Sequence, residues 1–145
     1  SIRAPSAASV LVLSLQPPMP LQPKHRALFL ANATVLVTHQ IDAAFWHEWE
    51  LFHIPGGNQV NLLLNLPIIA LVLYAQSQVA RGEGSAALMF YKLMPCLGAL
   101  TVVIHGLFFA LEHEAFVQPV SLGLLVGTAV LSCLQLTALR TRPLR

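Results

Sequence analysis

Four apolar stretches, at about residues 27–46, 60–80, 86–111 and 120–139, each run for some twenty residues with almost no charge inside them. A helix needs roughly 20 residues to cross a hydrocarbon layer about 30 Å thick, where every backbone N–H and C=O must be bonded within the segment. The chain therefore predicts an all-α fold, an integral membrane four-helix bundle. Only 10% of its residues are charged and its mean hydropathy is +0.69, against about 25% charged in soluble domains. With 145 residues in all, four spans leave room for one domain, which we place at residues 27–140.

Ahead of it, residues 1–26 read as a surface arm, because "AASVLVLSL" is too short to span and "QPPMPLQP" cannot continue a helix. Arg3 followed by an apolar run has the start of a signal peptide, but no small-x-small cleavage site precedes the prolines. Residues 141–145 form a basic tail. Arg3, Lys24 and Arg26 precede the first span, Arg81 lies between the second and third, and Arg140, Arg142 and Arg145 follow the fourth. Under the positive-inside rule both termini are cytoplasmic. Lys92 can snorkel to the same side, where Tyr74 and Tyr91 mark the interface. The parent membrane is expected to be a bacterial inner membrane, with an organellar membrane as the alternative.

The opposite face is acidic and rich in histidine. The stretch "THQIDAAFWHEWELFHIPGG" carries His39, Asp42, His47, Glu48, Glu50 and His53, and the end of the third span carries His105, Glu112, His113 and Glu114. "HQIDAAFWHE" and "HGLFFALEHE" share H-x7-HE, which suggests two repeated helical hairpins with a site between the halves. At 1.5 Å per residue, His39 and His105 lie roughly 9 to 11 Å below the ends of their helices, inside the hydrocarbon. Asp42 shares the face of His39 at i+3, Glu112 that of His105 at i+7, and Asn61 and Asn65 line the second span at the same depth.

An ionisable group near a helix centre costs on the order of 2.5 to 3.5 kcal/mol on insertion scales, so one shared polar pocket is the economical arrangement. Its expected core is His39, Asp42, His105 and Glu112, with Asn61 and Asn65 as hydrogen-bonding neighbours. His47, Glu48, Glu50, His53, His113 and Glu114 form a rim, read first as an ordinary wet interface, and Trp46 and Trp49 read as an aromatic belt. Gly123 and Gly127 offer a small-residue face for close helix packing or for a partner helix.

The stretch "HQIDAAFWHEWELFHIPGG" with the apolar helix after it resembles short bacterial four-helix membrane proteins of unknown function, over roughly residues 27 to 80. The resemblance implies a multi-helix membrane fold and no chemistry.

Imidazole with carboxylate is a common donor set for zinc, iron or manganese. A site for a transition metal, or for a small lipophilic ligand, is one reading. Proton transfer by a His/carboxylate pair is a second, and axial ligation of a b-type haem by His39 and His105, or of a chlorophyll-type pigment by a single one of them, is a third. Against a known metalloenzyme class, the chain has no HExxH and no dense histidine boxes. Cys96 and Cys133 stand apart in apolar sequence and read as core residues. A non-catalytic accessory subunit of a larger membrane complex, needing no cofactor, also fits, because short loops and little soluble mass suit packing against a neighbour or a second copy. Nucleic acid is excluded as a partner, since eight basic residues spread along one membrane edge make no groove-tracking patch. Whether the chain is an enzyme, and on what substrate, is not legible from these residues.

Overall fold

A computed structural model describes residues 20–111 and 118–140, and all the regular structure among them is helical. Four long helices are α1 (Pro23–Phe45), α3 (Gly57–Arg81), α4 (Gly84–Ala110) and α5 (Pro119–Arg140), and α2 (Glu48–Leu51) is one short turn between the first two. All four long helices are long and apolar enough to cross a membrane. α1 starts at Pro23 rather than near residue 27, because Pro23 takes a first-turn position where its missing N–H costs nothing. Pro67 and Pro95 are absorbed within α3 and α4 without ending either helix.

Successive long helices are antiparallel neighbours, and α5 returns to pack most extensively on α1, closing a ring α1–α3–α4–α5 with further contact across the α1–α4 diagonal. The apolar core lies towards the end of the bundle that carries the α3–α4 turn, around Phe29, Leu36, Val79, Ala87, Tyr91 and Met94. That turn is made by Gly82 at φ 75°, a left-handed conformation, and the space a Cβ would need there is taken by the Arg26 guanidinium. Leu21 N–H donates to the Gly82 carbonyl, 2.6 Å, so the chain leading into α1 is stapled to the same turn.

The outside of the bundle is as apolar as the inside. Leu63, Val103 and Ile41 remain about two-thirds exposed, at 70%, 68% and 67%, a surface that suits lipid and would drive association in water.

Close approach between helices falls at Gly98 of α4. A Cβ there would run into Ser132 Oγ, whereas one on Gly127 meets only Val35 at an ordinary 3.7 Å and one on Gly123 meets nothing within 4 Å. Of these three glycines, Gly98 is thus the one at which α4 and α5 approach closely.

Around this contact a buried polar network ties three helices together. Asn32 Nδ2 donates to Ser132 Oγ (3.2 Å) and to Gln135 Oε1 (3.0 Å). Gln135 Nε2 donates to the Tyr91 carbonyl (2.6 Å), and Tyr91 OH donates back to the Gln135 carbonyl (3.1 Å). His25 closes the end of the bundle: its Nδ1 accepts from Gln22 N–H, 3.0 Å, which leaves Nε2–H to donate to the Ala138 carbonyl, 3.2 Å. His25 is therefore a neutral histidine with both ring nitrogens bonded.

Candidate metal centre

The end of the bundle away from the α3–α4 turn holds a different kind of polar cluster, and its construction begins where α1 stops. Trp46 N–H still reaches the Asp42 carbonyl (3.0 Å), but His47 turns left-handed at φ 56°, ψ 40° and reverses the chain. A non-glycine residue seldom adopts this conformation, and here it throws α2 back against the bundle. Glu48 and Trp49, the first two residues of α2, are consequently buried at 7% exposure each. His53 repeats the left-handed step at φ 54°, and Gly56 and Gly57 continue it into α3.

The reversal carries the Glu48 carboxylate to His105 on α4. His105 Nδ1 lies 2.8 Å from the Thr101 carbonyl, which can only accept, so this nitrogen bears the proton. The other nitrogen, Nε2, then faces Glu48 Oε1 at 3.2 Å. A neutral imidazole nitrogen and an ionised carboxylate oxygen are both acceptors, and they hold that distance only with a cation between them. One shared proton is the smallest such cation.

His39 completes the group from α1. Its ring meets that of His105 edge to face, with centroids 4.6 Å apart and an interplanar angle of 75°. His39 and His105 are 2% and 4% exposed. One donor atom each from His39, Glu48 and His105 lie within 4.8 Å of one another, a group that could hold a metal ion. Tetrahedral zinc with bonds of about 2.0 Å would set its ligand atoms roughly 3.3 Å apart, so the Glu48–His105 pair already stands at ligand spacing and His39 needs a small movement. Thr101 supplies the backbone acceptor that commonly orients a ligating histidine. Nearby, His39 Nδ1 and Asp42 Oδ2 are buried and lack a hydrogen-bond partner among the described residues.

Compared with the sequence expectation, the structure brings His39 and His105 together with Asp42 beside them, and it adds Glu48, which the sequence places on the rim. Trp49 likewise leaves the expected belt for the interior. Glu112, His113 and Glu114 lie outside the described residues. Asn61 and Asn65 sit on one face of α3 and bond along it, Asn65 Nδ2 donating to the Asn61 carbonyl and Oδ1, both 3.0 Å. His47 and Glu50 do remain on an exposed rim, 3.8 Å apart, as does His53. Sequence reasoning passes over His25, Asn32, Tyr91 and Gln135 as interacting groups, although Asn32 and Gln135, polar residues within apolar spans, carry the usual signal of interhelical bonding.

The profile of a family of unknown function, DUF6713, matches residues 25–142. The chain belongs to this family. The match takes in α1 to α5 apart from the first two residues of α1, and so all three residues of the buried cluster, and runs well beyond the stretch 27–80 on which the resemblance rests. No curated protein and no solved structure matches the chain.

Proposed function

We propose that this chain is a four-pass integral membrane protein that binds a transition metal ion at His39, Glu48 and His105, in the half of the membrane away from its termini. Both termini and the Arg81–Gly84 turn face the cytoplasm, following the distribution of Lys and Arg. The observation that carries the reading is the convergence of two imidazoles and a carboxylate, all buried, with donor atoms within 4.8 Å of one another.

Ion pairing alone accounts for Glu48 and His105 but not for His39, which brings a third donor to the same point. Zinc, iron or manganese all accept this donor set. The imidazole rings touch edge to face at 4.6 Å, which leaves no slot for a porphyrin between them and favours a small ion over haem. Asp42 and solvent are the remaining donors within reach, so a bound ion would keep a position open to a further ligand.

Elemental analysis and an optical spectrum of detergent-purified protein test this, comparing wild type with a His39→Ala/His105→Ala double variant. Near-stoichiometric metal in the wild type, lost in the variant, is the expected result. A Soret band lost in the variant would replace the ion with haem. A well-folded wild type with neither metal nor chromophore refutes the proposal and leaves an accessory subunit of a larger membrane complex as the reading to pursue.

A further inference from the structure

A partly open cleft of about 240 Å³ lies at the junction of α1, α3 and α4, and its lining includes Gln40 and Ile104, the sequence neighbours of His39 and His105. Along α4 it extends from Met94 to Ile104, roughly 15 Å at 1.5 Å per residue. Its shaft is lined by apolar side chains such as Leu36, Val72, Met94 and Leu97, and its polar lining residues, Gln40 and Thr101, both stand at the end next to the histidines. Gln40 directly follows His39, and Thr101 is the residue whose carbonyl holds His105.

The polar end is unfinished. The Thr101 hydroxyl donates to the Leu97 carbonyl, 3.1 Å, and so has its own oxygen left to accept. The Gln40 side-chain amide has no hydrogen-bond partner among the described residues. An amide donor and a hydroxyl acceptor in one lining that has no charged side chain complement a group that both accepts and donates, which is what a hydroxyl does. The shaft below is long, apolar and smaller than the roughly 300 Å³ at which ordinary ligand pockets begin. It fits one chain rather than the two of a bilayer phospholipid.

We infer that this cleft binds a single-chain aliphatic alcohol from the bilayer, its hydroxyl held by Gln40 and Thr101 beside the metal centre. That the alcohol lies near a bound metal rests on the metal reading above, whereas the cleft and its polar end stand on their own geometry. An alcohol docked this way lies with its chain parallel to the helices, as it would in the surrounding lipid, and reaches the site sideways without crossing water.

Photolabelling with a diazirine-bearing dodecanol, read by peptide mass spectrometry on the purified full chain, tests the inference. Metal content of every sample is measured in parallel. The expected result is label concentrated between Met94 and Ile104 and around Ile68–Val72, competed by dodecanol but not by dodecane. Leu97→Trp, which fills the shaft, should abolish it, and Gln40→Leu should weaken dodecanol competition roughly three- to tenfold, the weight of one hydrogen bond. Label spread over all outward faces and indifferent to Leu97→Trp, or equal competition by dodecane, overturns the inference. Focused label in a protein that carries no metal upholds the cleft while refuting the metal reading. Bound metal with diffuse label does the reverse.

Discussion

Replacing Glu48 by Gln should separate a metal centre from a buried ion pair. With His105 Nδ1–H committed to the Thr101 carbonyl at 2.8 Å, Nε2 and Glu48 Oε1, 3.2 Å apart, hold one proton between them. A divalent ion that takes both atoms must displace that proton, because metal ligands bind in their deprotonated forms. Affinity therefore falls as pH falls, by about tenfold per pH unit wherever the pair carries its proton. In Glu48→Gln the neutral amide can donate to Nε2, but it offers neither the negative charge nor a good ligand oxygen. The change removes one of three donors, so it should weaken zinc by roughly 100-fold or more, beyond the 10- to 100-fold typical of losing an outer partner of a ligand. The pH slope contributed by the shared proton should vanish with it. Competition for zinc against a chromophoric chelator, in detergent and at several pH values, measures both quantities. Equal affinity with an unchanged slope in Glu48→Gln would refute the shared-proton reasoning and the role of Glu48 as a ligand.

Gly98→Val should lower the melting temperature, since overpacking costs typically 1 to 3 kcal/mol where a Cβ runs into Ser132, while Gly123→Ala, facing open space, should leave it unchanged; a differential thermal unfolding assay distinguishes them. Asn32→Leu, which strips two bonds from the buried network, should destabilise by roughly 0.6 to 2 kcal/mol, given the modest worth of interhelical hydrogen bonds in apolar surroundings, without altering metal content. His25→Leu should cost about 1 to 3 kcal/mol, because it leaves the Ala138 carbonyl and Gln22 N–H without the bonds they make to the imidazole. With Cys96 and Cys133 replaced by Ser, a single cysteine at Glu83 should react with an impermeant maleimide from the same side as tags at both termini. Labelling from the opposite side would overturn the orientation.

Helix number and approximate limits are legible in the sequence because the requirement to satisfy every backbone group within apolar segments is severe, and hydropathy reports it directly. His39 and His105 stand out for the same reason, as ionisable groups at costly depth. Glu48 escapes notice because its burial depends on a chain reversal at His47, a residue that carries no glycine or proline signal for a left-handed turn. Counted along a continuing helix, Glu48 lies beyond the end of α1; folded back, it lies inside. The reading of Gly123 and Gly127 as a packing face shows the converse limit, since spacing finds small residues but the ring order of the helices decides which of them meets a neighbour. His25 is obscured because it precedes the apolar stretch, and only the cap geometry at Pro23 brings it under α5.

The left-handed turn at His47 also has a temporal consequence. It gathers two of the three donors, His39 and Glu48, within the first crossing and its short hook, while the third arrives 57 residues after Glu48 on a later crossing. A chain threaded into a bilayer span by span would therefore carry two of the three donors until α4 is delivered. Ion capture in such a protein would become possible once α4 is in place and before α5 follows, so a bound ion would mark the arrival of the third long helix.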